Sequence, residues 1–117
     1  MSLFVLLPRN DGDPFAGLTP AEIQVILGKY MAWTGKLRSA DKLRMGHKLR
    51  DGDGRVLNGT NGKLAITDGP FCEAKEVVGG IWIIEAADYE EAVALSRDCP
   101  HLAIGSLEIR AVEPVRE

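Results

Sequence analysis

The chain has little cysteine: Cys72 and Cys99 are its only two. That is too few for the disulfide framework of a small secreted domain, and no Cys-x-x-Cys pair offers a metal or redox motif. The expectation is a reducing cytoplasm, with no metal and no cofactor. Long apolar runs are missing too. No stretch approaches the roughly 20 residues of a membrane helix. The opening Met1-Ser2-Leu3-Phe4-Val5-Leu6-Leu7 is too short for a signal peptide and lacks a basic leader, so no membrane association is expected. Positive charge is not in excess. Fourteen Lys and Arg face seventeen Asp and Glu, and the net charge of -3 argues against a general nucleic-acid binder. Glycines 52, 54, 59 and 62 fall in hairpin turns, not in a phosphate-binding loop of the nucleotide type. With no repeat, low-complexity segment or linker, the 117 residues fit one domain, 1–117.

What is present patterns cleanly. Residues 2 to 7 are almost wholly apolar and predict a strand buried on both faces. A loop dense in turn formers, 10–18, precedes Thr19-Pro20-Ala21-Glu22, which has the residues of a capped helix start. Ile23, Ile26, Leu27, Tyr30, Thr34 and Leu37 then follow at helical spacing, with Gly35 weakening the helix end. Residues 43–50 alternate: Leu43, Met45, His47 and Leu49 on one side, Arg44, Gly46, Lys48 and Arg50 on the other. A hairpin is expected from Val56-Leu57 to Lys63–Thr67 around Asn58–Gly62. Gly79-Gly80 leads into the strand 81–86, again apolar on both faces. Asp88 caps a second helix with Glu91 three residues on, its core side being Tyr89, Ala92, Val93 and Leu95. Cys99-Pro100 ends that helix, and Ser106 to Val112 is the last strand.

Strand, helix, strand, inserted hairpin, strand, helix, strand is an α+β order. Two βαβ halves with right-handed crossovers give a ferredoxin-like antiparallel sheet with two helices on one face. The other face would carry apolar side chains to water. A second copy, packed sheet on sheet as a homodimer, is its expected cover.

The most specific stretch is Asp68-Gly69-Pro70-Phe71, followed by Glu73, Lys75 and Glu76. Asp, Gly and Pro in succession make a turn, and Phe71 is expected to plug the core beneath it. Asp68 is a candidate general base or ligand anchor, against the plainer role of bonding its own turn's amides. His47, on the apolar side of its strand, is the second candidate because histidine as a residue type suits proton transfer at neutral pH, against a plain buried histidine. Residues 36–50 hold six of the fourteen basic residues, against Asp41 alone. Arg44 and Arg50 of that segment, with Arg110 of the last strand, could form a polar rim, and Glu73 and Lys75 could orient Asp68 or hold an anion; these are candidate ligand contacts, and a small anion is a possible ligand. The alternative is that these charges face water. Cys72 is read first as a small packing residue.

These residues match a known pattern. Asp68-Gly69-Pro70-Phe71 with Glu73, Lys75, Glu76 and Gly79-Gly80, then Asp88, Glu91-Ala92, Cys99-Pro100, Gly105 and Glu108-Ile109-Arg110, resembles the YCII-related, or DGPF-domain, family. The resemblance implies a dimeric α+β barrel. It also implies a bacterial protein whose relatives are proposed to be small enzymes with a His and Asp pair in a cleft. The first helix here has no histidine, so that His has no counterpart there. DGPF members are often encoded beside extracytoplasmic-function sigma factors. Two readings thus stay open: a small-molecule binder or enzyme with a pocket near Asp68, and a regulatory interaction module for a sigma factor using the basic 36–50 surface.

Overall fold

A computed structural model describes residues 1–69 and 77–114, with Thr60 through its backbone alone. Pro70, Phe71, Cys72, Glu73, Lys75 and Glu76 lie outside the described residues, so the expected Phe71 plug does too. In chain order the elements are β1 (Ser2–Asn10), α1 (Pro20–Ser39), β2 (Leu43–Lys48), β3 (Arg55–Asn58), β4 (Ala65–Asp68), β5 (Val77–Val78), β6 (Gly80–Ala86), α2 (Tyr89–Ser96) and β7 (Ser106–Ala111). Short 3-10 turns occupy Thr60–Gly62 and Pro100–Ala103.

β1 is the central strand. It pairs antiparallel with β6 and β7, β2 borders β6, and β5 pairs with the far end of β1. The order β2-β6-β1-β7 is that of two interleaved βαβ halves, and the fold is α+β. β5 and β6 form one line broken at Gly79. Phe4 pairs with Ile84, whereas Arg9 pairs with Val78, one residue out of step. The hairpin β3–β4 pairs only within itself among the described residues and forms a separate two-stranded sheet.

Both helices start as their sequences dictate. Thr19 Oγ1 accepts the amide of Glu22 at 3.2 Å, and the Glu22 carboxylate accepts the amide of Thr19 at 3.1 Å. The Thr19 backbone bond is the main reason the Glu22 carboxyl sits below its usual range. Asp88 accepts the amide of Glu91 at 2.9 Å, while Glu91 reaches back to the amide of Ala87 rather than Asp88. Gly35 does not end α1, which runs on to Ser39.

The core lies between the helices and one sheet face. Phe4, Leu6, Ile84 and Ala86 meet Trp33 and Leu37 of α1 and Ala92 of α2, with Leu43, Leu107 and Ile109 packed around them. Trp33, absent from the expected stripe, is buried, and its indole N–H donates to the Leu95 carbonyl at 3.1 Å. Tyr89 and Val93 are corrected from core to surface. α2 is only eight residues long and commits Ala92 and Ser96 inward, leaving Tyr89 52% and Val93 40% exposed. Tyr89 instead caps the edge, its ring against Phe4 and its hydroxyl accepting the amide of Ala111 at 2.8 Å.

β2 departs from simple alternation. Its register shifts between Leu43 and Met45, so Leu43 and Gly46 both stand on the helix face, opposite Ile84 and Trp82. Met45 and His47 oppose Ile83 and Ile81 on the other face. The extra residue of this bulge is Arg44, whose guanidinium pairs with Glu85 and with Asp41. His47 is accordingly exposed rather than buried.

Leu6 has no exposed surface and sits where both helices and the sheet meet. Leu6→Ala is expected to cost about 2–5 kcal/mol, read from the urea midpoint at unchanged slope.

Candidate functional site

The hydrophobic layer does not close at the end of β1. Between α1, the loop 10–18 and the 3-10 turn at Pro100–Ala103 lies a cavity of about 220 Å³. Leu27, Tyr30, Met31 and Thr34 line it from α1, Pro14 and Phe15 from the loop, Trp82 and Gly46 from the sheet, and His101 from the 3-10 turn. The loop is held by its own bonds: the Phe15 amide donates to Asp13 Oδ1 at 2.9 Å, and Asn10 Nδ2 donates to the Gly12 carbonyl at 2.7 Å.

The walls are aromatic. Trp82 stacks on Tyr30 with ring centroids 6.2 Å apart and planes 19° from parallel, and meets Trp33 edge-on at 4.9 Å. Gly46 is needed here, because a Cβ at that position would lie 2.5 Å from Trp82 Cδ1.

The polar part is a short chain of hydrogen bonds. His101, 4% exposed, places Nε2 at 2.8 Å from the Arg9 carbonyl oxygen and Nδ1 at 3.1 Å from the Tyr30 hydroxyl. A carbonyl oxygen only accepts, so Nε2 carries the hydrogen. In the neutral imidazole Nδ1 is then bare and the Tyr30 hydroxyl donates to it. Burial pushes the Tyr30 phenol up to about 12, and Cys99 beside it adds to that. The Cys99 thiol is itself pushed up to about 11 by burial. Both groups hold their protons through the neutral range.

The residues singled out from sequence scatter. His47 contributes to the cavity rim beside Gly80, a Cβ on which would lie 2.9 Å from the His47 carbonyl oxygen; its pairing with Ile81 places the side chain on the opposite sheet face. Asp68 closes β4 opposite Arg55, 93% exposed, in an ion pair of 3.4 Å, and does not line the cavity. Arg44 pairs with Glu85, and Arg50 with Asp53 at 3.6 Å. Arg110 is exposed on the open sheet face opposite Val5. Glu73 and Lys75 lie outside the described residues. Among the described residues no three His, Cys, Asp or Glu cluster as metal ligands. No described helix is long and apolar enough to cross a membrane.

Tyr30 and His101 were not legible as a site. Tyr30 reads as one member of an apolar helix stripe and His101 as a residue after Cys-Pro. Seventy-one positions separate them. The one local hint is Gly105, which an alanine could not replace without running into the Arg9 carbonyl and coming within 2.8 Å of His101 Nε2.

The sequence model of the YCII-related domain matches residues 3–116. The chain belongs to this family. An uncharacterized protein of Rhizobium meliloti is 27% identical over 111 residues, covering 92% of this chain and 90% of that one. Among solved structures, 5-chloro-2-hydroxyhydroquinone dehydrochlorinase from Burkholderia phenoliruptrix, in complex with 2,5-dihydroxybenzoquinone, matches at a TM-score of 0.50 and 16% identity. That match covers 95% of this chain and 93% of the enzyme, and establishes likeness of fold.

Gly105→Ala is expected to lower stability by about 1–3 kcal/mol, because its new methyl must displace β1 backbone or His101. Gly59→Ala meets nothing within 4 Å and serves as the control, within about 0.5 kcal/mol of the parent in the same thermal melts.

Proposed function

We propose that the protein binds a small planar one-ring molecule in the cavity between α1 and the sheet. The observation that carries this reading is the cavity itself: about 220 Å³ walled by Trp82, Tyr30 and Phe15, with one buried polar chain at its end. Apolar cavities of about 150 Å³ hold benzene, so a singly or doubly substituted ring is the right size. Few polar groups in an apolar wall is the usual composition of a small-molecule site. The 2,5-dihydroxybenzoquinone in complex with the Burkholderia enzyme is a ligand of this shape in a protein of this fold.

We also propose that the working unit is a homodimer, completing an α+β barrel. Leu3, Val5, Leu7, Met45, Ile81 and Ile83 share the sheet face away from the helices, by register, and all are at least partly exposed. The protomer is flat, 50 × 47 × 18 Å, and its radius of gyration of 16.3 Å exceeds the roughly 13 Å of a compact chain this long. A second copy laid on that face would cover it.

Titration with toluene or phenol is expected to quench tryptophan fluorescence and shift the Trp82 indole resonance at millimolar ligand. Met31→Trp, at the cavity mouth, should abolish the response while the fold survives; an unchanged response would place the ligand elsewhere. Light scattering is expected to give twice 12.7 kDa at micromolar concentration, and Ile83→Glu to give the monomer mass. A parent that scatters as a monomer refutes the dimer.

A further inference from the structure

The direction of the hydrogen bonds at the cavity end restricts the ligand further. The Arg9 carbonyl accepts from His101 Nε2, so with the ring neutral the hydrogen of Tyr30 is committed to Nδ1. The phenolic oxygen retains acceptor capacity only. It is aligned by a histidine that is itself held between β1 and its own 3-10 turn. No donor is left on this hydroxyl for an anion or a carbonyl.

We infer that Tyr30, positioned by His101, selects a ligand that presents a hydrogen-bond donor: a neutral ring bearing a hydroxyl or an amino group. The inference rests on the cavity reading above and sharpens it. Three neighbouring facts agree. The phenol, at about 12, does not ionise in the working range, so Tyr30 stays a hydroxyl. Thr34, the other hydroxyl of the wall, donates back to the Tyr30 and Met31 carbonyls at 3.0 and 3.2 Å. Lys48, which lines the cavity, donates to the Leu49 carbonyl at 2.9 Å and to Asp51 at 3.1 Å. Tyr30, Thr34 and Lys48 thus each turn a hydrogen to a partner within the protein.

The charged and titratable groups around this pair are few. The thiol of Cys99 is pushed up to about 11 and stays protonated. The guanidinium of Arg9 is bound to Glu108 at 2.9 Å. Lys48 lines the cavity from β2, and His47 contributes to the rim with its side chain on the opposite sheet face.

The test uses the full chain at pH 8 with phenol, anisole and benzoate as probes, by calorimetry or chemical-shift titration. Phenol and anisole share the ring and differ in the donor. Phenol is expected to bind roughly threefold to tenfold tighter than anisole, the span of one net neutral hydrogen bond, and benzoate weakest. Tyr30→Phe should bring the phenol-to-anisole ratio to about one. In parallel, nitrogen-15 spectra of the parent should show His101 protonated on Nε2 and bare on Nδ1, with the Nδ1 signal moving in Tyr30→Phe. Phenol and anisole binding equally would overturn the inference and leave the cavity reading standing. No ring binding at all would overturn both. A His101 protonated on Nδ1 would reverse the polarity of Tyr30 and overturn the inference by itself.

Discussion

The last three residues of β1 are where the site is decided. Pro8 gives its carbonyl to the amide of Gly79 at 2.8 Å, Arg9 gives its carbonyl to His101 Nε2, and Asn10 turns its side chain to the Gly12 carbonyl. Three different parts of the chain thus close on one strand end. At two of these approaches, the one through Gly79-Gly80 and the one before β7, glycine makes the room. A Cβ on Gly79 would lie 2.7 Å from Asn10 Oδ1, one on Gly80 2.9 Å from the His47 carbonyl, and one on Gly105 would overlap the Arg9 carbonyl. Close backbone approach, not any side-chain motif, brings His101 to Tyr30 and leaves the cavity beside them.

That explains which parts of the fold could be read from sequence. Caps are local: Thr19 with Glu22 and Asp88 with Glu91 need only three residues of separation, and both form. Strand 81–86 is legible because apolar residues at nearly every position have few other uses. The register shift at Arg44 is different in kind. Alternation from Leu43 to Leu49 is intact as a string, and only the pairing with β6 shows that it slips. The β3–β4 hairpin is legible as a hairpin, but its pairing only within itself among the described residues is not, since nothing local says which edge it joins. Asp68, the most conspicuous carboxylate in the sequence, ends that hairpin beside Arg55 in solvent. The cavity residues come from β1, the loop 10–18, α1, β2, β6 and the turn after α2, with no contiguous signature among them.

Trp82 ties the cavity to the core. Its ring contacts Trp33 on the core side and Tyr30 on the cavity side, and the absence of a side chain at Gly46 lets it lie flat across β2. Trp33 is fixed in turn by its bond to Leu95. The aromatic wall is therefore part of the packed interior and is organised before any ligand arrives. A preorganised wall lowers the ordering cost of binding, one of the main losses a weak small-molecule site has to offset.

The basic segment 36–50 shows how misleading charge density along a sequence can be. Read as a string it is six cations around one acid. Folded, Lys36 meets Asp98 at 3.4 Å, Lys42 meets Glu91 at 3.3 Å, and Arg44 meets Glu85. These acids come from α2, its far end and β6, 41 residues or more along the chain from their partners. Lys48 and Arg50 pair with Asp51 and Asp53 of the following turn. Exposed pairs of this kind contribute roughly 0–1 kcal/mol each to stability, so they are not what holds α1 and α2 to the sheet. Their effect is on the field. Lys36, Lys42, Arg44, Lys48 and Arg50 each have a carboxylate within 4 Å, so most of the segment's positive charge is matched close at hand. On the proposed reading, discrimination among ligands then falls to the short-range chemistry of neutral groups, and among the described residues the phenol of Tyr30 held by the imidazole of His101 is the group placed for it.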